Sequence, residues 1–276
     1  MLLVVISPNM TAVDNLKLEC RKEIVITLLV IIALGASVNF LIFGFANVIS
    51  FSDYRNYLLF PSLFTVFFIS IYWYKKNKKL AKTLAVGLLI GLIATAALEA
   101  IRIPNVYIHW IPHDDMIALP GKLLLDTNIK SSDLMMQDAK IIPQTKENEN
   151  LHESEHDTMH DKANMDHSMQ STIPELVAGG LYHFWNGATM AAVYALIVGK
   201  GRWYFGLIWG FIVHIGMMLA PWMLAMVGPF GINYDSGYTI FTASLFAHLA
   251  YGIVIGVLAK KYLNEKSPLL ALLGRR

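Results

Sequence analysis

The 276-residue chain is 55% hydrophobic and 15% charged, with a mean hydropathy of +0.50, whereas a soluble domain carries about 25% charged residues. A single cysteine, Cys20, excludes a disulfide scaffold, and a net charge of +2 offers nothing for nucleic acid to read. Of the 22 basic and 20 acidic residues together, 19 lie between Arg102 and Glu175, so the rest of the chain is apolar enough to be membrane.

About 20 apolar residues cross roughly 30 Å of hydrocarbon as a helix. Windows of that kind fall at 24–48, 57–74, 82–101, 177–199, 203–226 and 239–259. The sequence therefore predicts an all-α polytopic membrane helix bundle with six transmembrane helices. Residues 1–23 form an N-terminal cytoplasmic segment, 24–101 the first three spans, 102–175 an extracytoplasmic loop, 176–262 the last three spans and 263–276 a cytoplasmic tail. Orientation follows from the lysines and arginines, which short cytoplasmic loops collect. Lys75, Lys76, Lys78, Lys79 and Lys82 lie between spans two and three, and Lys200 and Arg202 between four and five. Both turns are placed inside, with both termini, and Arg55 is the one base in the short outward turns. Trp73 and Trp203 on the inner side, with Trp110, Trp185 and Trp222 on the outer, are assigned to interfacial belts. The lipid bilayer of a cell membrane is the first partner this implies.

Three glycine pairs stand four apart: Gly87 and Gly91, Gly206 and Gly210, Gly252 and Gly256. Small residues at that spacing let helix backbones approach closely, and packing within the chain is favoured over a dimer. Pro221 is expected to kink the fifth span and to open backbone groups beside any site there.

The loop carries a different chemistry. Between Lys146 and Met169 the only apolar residues are Leu151, Met159, Ala163, Met165 and Met169, too few to build a core, so a largely flexible segment is expected. It holds His152, His156, His160 and His167 with Met165 and Met169, surrounded by carboxylates. Imidazole and thioether together favour copper among first-row metals, and a thioether is a soft donor that forms no disulfide in an oxidising exterior. The run Met165-Asp166-His167-Ser168-Met169 resembles the Met/His-rich stretches of bacterial copper-resistance and copper-transport membrane proteins. The resemblance is compositional, covers about 20 residues, and implies metal capture without a whole-chain family. Upstream, a short helix lying on the outer surface is expected within Met116–Ile142, and Pro112 prevents a helix from aligning His109 with His113.

Ionisable side chains inside a span are costly and call for a function. Here they are Glu99 in span three, His183 in span four, His214 in span five and His248 in span six. The predicted topology puts all three histidines between the midplane and the outer face. Met217 and Met218 follow His214 at i+3 and i+4, so at least one thioether shares its face. Glu99, beside Arg102, and Asn186, three residues after His183, are polar partners for such a set. Alone, each histidine is equally well an interhelical hydrogen bond.

The sequence thus points to a membrane protein that takes a transition metal ion, copper first, from the extracytoplasmic side. The loop collects it and His183, His214, Met217, Met218 and His248 receive it. Two alternatives stand beside this: a haem- or metal-binding electron-transfer or oxidoreductase subunit, and an accessory or assembly subunit whose loop docks a membrane or periplasmic partner protein. No phosphate-binding glycine loop supports ATP-driven pumping by this chain, and whether it is an enzyme is open.

Overall fold

The structure, a computed structural model, describes residues 12–110, 115–125, 172–232, 238–264 and 269. Every regular element among them is helical: α1 Ala12–Phe45, α2 Phe51–Lys76, α3 Lys78–Tyr107, α4 Asp115–Leu125, α5 Ile173–Ile197, α6 Trp203–Met218, α7 Pro221–Val227 and α8 Tyr238–Tyr262, with a 3-10 turn at Pro229–Gly231. Four helices are long and apolar enough to cross a membrane: Glu19–Phe45 within α1, α2, α3 and α8. Their outward faces carry large apolar side chains in the open, such as Ile32 at 70% exposure and Phe64 and Phe68 at 63%, a surface suited to lipid rather than water.

Two expected boundaries move. The first helix starts at Ala12 rather than 24 and runs 34 residues, about 51 Å at 1.5 Å per residue, longer than a bilayer core. The second starts at Phe51, where the Ser50 hydroxyl accepts from the Asp53 amide at 3.1 Å and supplies the N-cap. Within α2, residues Arg55–Leu59 form a π-helical turn, just before Pro61, whose nitrogen has no hydrogen to give to the ladder. Arg55 is therefore not in an outward turn. It is buried, and its Nη1 donates to the Leu124 carbonyl at 2.7 Å, tying α2 to the end of α4.

The bundle is organised around α5, which packs on α3, α4 and α1. This helix is 25 residues long and carries Glu175, His183 and Asn186, all partly buried. Ile90, Ala94 and Leu98 of α3 meet Ala191, Tyr194 and Ala195 of α5 and Ala247, Tyr251 and Ile255 of α8 in one core. A second core joins Val30 and Leu34 of α1, Trp73 of α2 and Leu84 of α3 to Ala192 and Leu196 of α5. Trp73 sits in that core, fully buried with its Nε1–H donated to Glu23 at 3.0 Å, and not in an interfacial belt.

The paired glycines all serve contacts within the chain. Gly87 and Gly91 lie against Ala188, Ala191, Ala192 and Ala195 of α5, while Gly206 and Gly210 of α6 face Gly252 and Gly256 of α8. Gly121 and Gly179 do the same for α4 and α5. That close approach draws α4 into the bundle, with Ala118 and Leu123 buried, instead of leaving it on the outer surface.

The fifth expected span, 203–226, is not one helix. It ends at Met218 and restarts at Pro221. Ala220, held extended at φ −67° and ψ 141°, has the backbone that a following proline imposes, and Pro221 opens the new helix where its missing N–H costs nothing. The break is thus sharper than a kink.

Candidate functional site

Between α1, α3, α4, α5, α6, α7 and α8 lies a cavity of about 440 Å³. His183, Asn186 and Met190 of α5 line it, as do Trp209 and Met217 of α6, Trp222 and Met223 of α7, and Ser244 and His248 of α8. Most of the remaining wall is apolar, from Val38, Leu41 and Ile42 of α1 to Ile212 and Val213 of α6. The break after Met218 helps to shape it, since Gly216, Met217 and Ala220 all border the cavity.

Two of the three histidines of the expected spans, His183 and His248, border this space. His183 Nε2 lies 2.9 Å from Glu99 Oε1. The two groups approach to ion-pair distance without the alignment of a hydrogen bond. Arg102 holds that carboxylate in turn, its Nε donating to both oxygens at 2.9 Å and its Nη2 pairing at 2.7 Å. His248 Nδ1 stands 2.8 Å from the Ser244 carbonyl, also an acceptor alone, which leaves its lone pair on Nε2. An oxygen acceptor on one nitrogen and a free lone pair on the other is how a ligating imidazole is oriented.

His214 takes a different place. It is completely buried and does not line the cavity. Its Nδ1 meets the Ser244 hydroxyl at 3.3 Å, the same hydroxyl lies 3.3 Å from His248 Nδ1, and the two rings stand 5.5 Å apart. Phe241 closes the other side at 4.9 Å, edge to face. His214 is thus coupled to His248 through Ser244, one layer behind the wall. Met217 lines the cavity, whereas Met218 is buried beside Met223, Val227 and Ile240.

Comparison with protein-family models, characterised proteins and solved structures finds no match for this chain. The site is therefore read from its own residues. Among the described residues, no three His, Cys, Asp or Glu side chains gather as a metal-binding group. The donors bordering the cavity are instead two imidazoles, His183 and His248, and three thioethers, Met190, Met217 and Met223. By donor type that set fits a soft monovalent copper ion better than zinc or magnesium.

Met190 and Met223 were not selected from the sequence. Met190 follows His183 by seven residues, two helical turns, so a search for i+7 partners would have found it. Met223 is brought round only by the break at Leu219 and Ala220. Asn186 lines the cavity, and Glu99 lies within ion-pair distance of both Arg102 and His183. His152, His156, His160, His167, Met165 and Met169 lie outside the described residues, as does His113.

Proposed function

We propose that this protein is a six-span membrane protein, termini in the cytoplasm, that receives copper from the extracytoplasmic side and holds it in transit within the bundle. The observation that carries this is the shared placement of His183 and His248 on one cavity with Met217. His248 has Nδ1 fixed by the Ser244 carbonyl and its other nitrogen left with a lone pair, while His183 stands beside the Glu99 carboxylate. Exchange among several weak soft donors favours transfer over storage, because many sites close together raise the local concentration without holding the ion in one. Residues 146–169 are the collecting segment, and His214 supports His248 from behind.

The test is elemental analysis and an absorption spectrum of the full chain purified in detergent and loaded with copper(I), repeated for His183→Ala and His248→Ala. Copper bound by the native chain and weakened in both variants supports the proposal. Copper bound equally by all three, or by none, rejects it, and a Soret band would transfer the two histidines to haem. Orientation is checked separately by single cysteines at 77 and 131 in a Cys20→Ser background. An impermeant thiol reagent should label only the second from outside.

A further inference from the structure

The exposed bases among the described residues gather at one end of the bundle. Arg21 lies on α1, Lys75 and Lys76 close α2, and Lys78, Lys79 and Lys82 open α3, all of them exposed. The bond from Trp73 to Glu23 brings the first two groups together, and Gly87 against Ala192 and Ala195 sets the start of α3 beside the end of α5. Lys200 and Arg202 follow α5 directly, and Lys260 and Lys261 end α8, where Gly256 meets Trp203. Two acids stand here among the described side chains, and both are occupied: Glu19 by Lys22 at 2.8 Å and Glu23 by Trp73. Among the described residues, Lys75, Lys76, Lys78 and Lys82 form no ion pair.

The opposite end is built differently. Arg55 is buried on the Leu124 carbonyl, Arg102 pairs with Glu99, and Lys122 is half-buried. Like charges crowded on one face repel one another, so the basic end calls for a counter-charge from outside the chain. An aromatic girdle fixes where that charge lies. Tyr74 is 70% exposed beside Lys75, Trp203 48% beside Arg202 and Tyr262 50% beside Lys261. Exposed tyrosine and tryptophan at the ends of apolar helices sit at the headgroup level of a bilayer, so the base next to each is within reach of lipid phosphates. Arg202 and Lys261 lean over tyrosine rings in that layer, 5.9 Å from the centre of Tyr204 and 5.1 Å from that of Tyr262.

We infer that this end of the protein binds anionic phospholipids, their heads among the lysines that join α2 to α3 and their chains along exposed apolar side chains such as Phe68 and Ile71 of α2. Phosphatidylcholine presents the same phosphate with a cation attached, so the net charge of the head is what the lysines select. The inference rests on the membrane part of the preceding proposal and on neither copper nor a given orientation.

The test titrates the full chain in dodecylmaltoside with dioleoylphosphatidylglycerol or dioleoylphosphatidylcholine and counts bound lipids by native mass spectrometry. Phosphatidylglycerol should bind about tenfold more tightly or better, and raising ammonium acetate from about 0.1 to about 0.5 M should remove most of the difference. Replacing Lys75, Lys76, Lys78 and Lys82 together by Gln should cost about fivefold for each lysine that meets the head. Replacing the same four by Arg should keep the preference, and Lys122→Gln at the other end should leave it unchanged. Copper(I) binding by the four-Gln variant should stay at the native level, which separates this outcome from that of the metal proposal. Equal binding of the two lipids overturns the inference, as does a preference that survives the four Gln substitutions. A polyglutamate peptide bound more tightly than phosphatidylglycerol also overturns it and gives the face to an acidic protein. A melting curve shows whether the four-Gln variant folds, and if it does not, the lipid comparison and its salt dependence decide.

Discussion

Glu99 on α3 and His183 on α5 meet at 2.9 Å, and the same carboxylate binds Arg102 one turn along its own helix at 2.7 Å. Among the described residues, Arg102 is the one Asp, Glu, Lys or Arg bordering the cavity, and the carboxylate pairs with it while standing beside an imidazole. Glu99→Leu leaves a half-buried guanidinium without a counter-charge, a change that costs about 3–5 kcal/mol where the pair is buried. Glu99→Gln keeps an acceptor for His183 and loses only the charge, so its loss should be clearly smaller. Thermal unfolding in detergent checks this. Equal midpoints for the two variants would show that the pair contributes little.

The separation of His248 from His214 has a measurable consequence. His248→Ala and His183→Ala each remove a nitrogen bordering the cavity and should lower copper(I) affinity by about tenfold or more, the scale on which even supporting residues act. His214→Phe fills the same buried volume against Phe241 and removes only the 3.3 Å contact with Ser244, so its effect should stay within about threefold. Competition against a chromophoric copper(I) chelator measures all three. A loss in His214→Phe as large as in His248→Ala would move His214 into the coordinating set.

Much of this arrangement was legible in the sequence because hydropathy and ionisable residues report on burial directly. One helix covers each apolar window except 203–226, which two helices share, and the six glycines pack within the chain as their spacing suggested. The failures have a common physical source, which is that a window of apolar residues does not say which neighbour it meets. Arg55 reads as a loop base until Leu124 is placed beside it, and Trp73 reads as interfacial until Glu23 is. Met218 and Met217 are adjacent in sequence and share the same chemistry. Only the ending of α6 decides that one borders the cavity and the other packs on Met223. The contact of Ser244 with His214 arises from a partner on another helix, which no local pattern encodes.

Two glycines on α6 and α8 should respond in opposite ways to an added side chain. A Cβ on Gly252 would meet the Gly206 carbonyl and would lie 3.0 Å from the Gly210 Cα, so Gly252→Leu forces α6 and α8 apart and should cost about 1–3 kcal/mol or more. At Gly216 nothing lies within 4 Å, and Gly216→Ala should be neutral or stabilise the helix by up to about 1 kcal/mol. Melting midpoints that fall for both would contradict the open space beside Gly216.

Capture by residues 146–169 should depend on pH in a direction set by the donors themselves. An imidazole coordinates only when neutral, and it protonates as pH falls through about 6.5, so copper(I) taken up by His152, His156, His160 and His167 is released on acidification. Thioethers do not titrate, and Met165 and Met169 should retain a pH-independent remainder. Initial copper(I) uptake at limiting free metal, measured on the full chain between about pH 7.5 and pH 5.5, should therefore fall to a plateau rather than to zero. Deleting 146–169 should remove the steep part of that profile and lower the uptake rate near neutral pH, while equilibrium binding by the rest of the chain persists. An unchanged profile after the deletion would leave the segment without a part in metal capture and would favour a docking role for it instead.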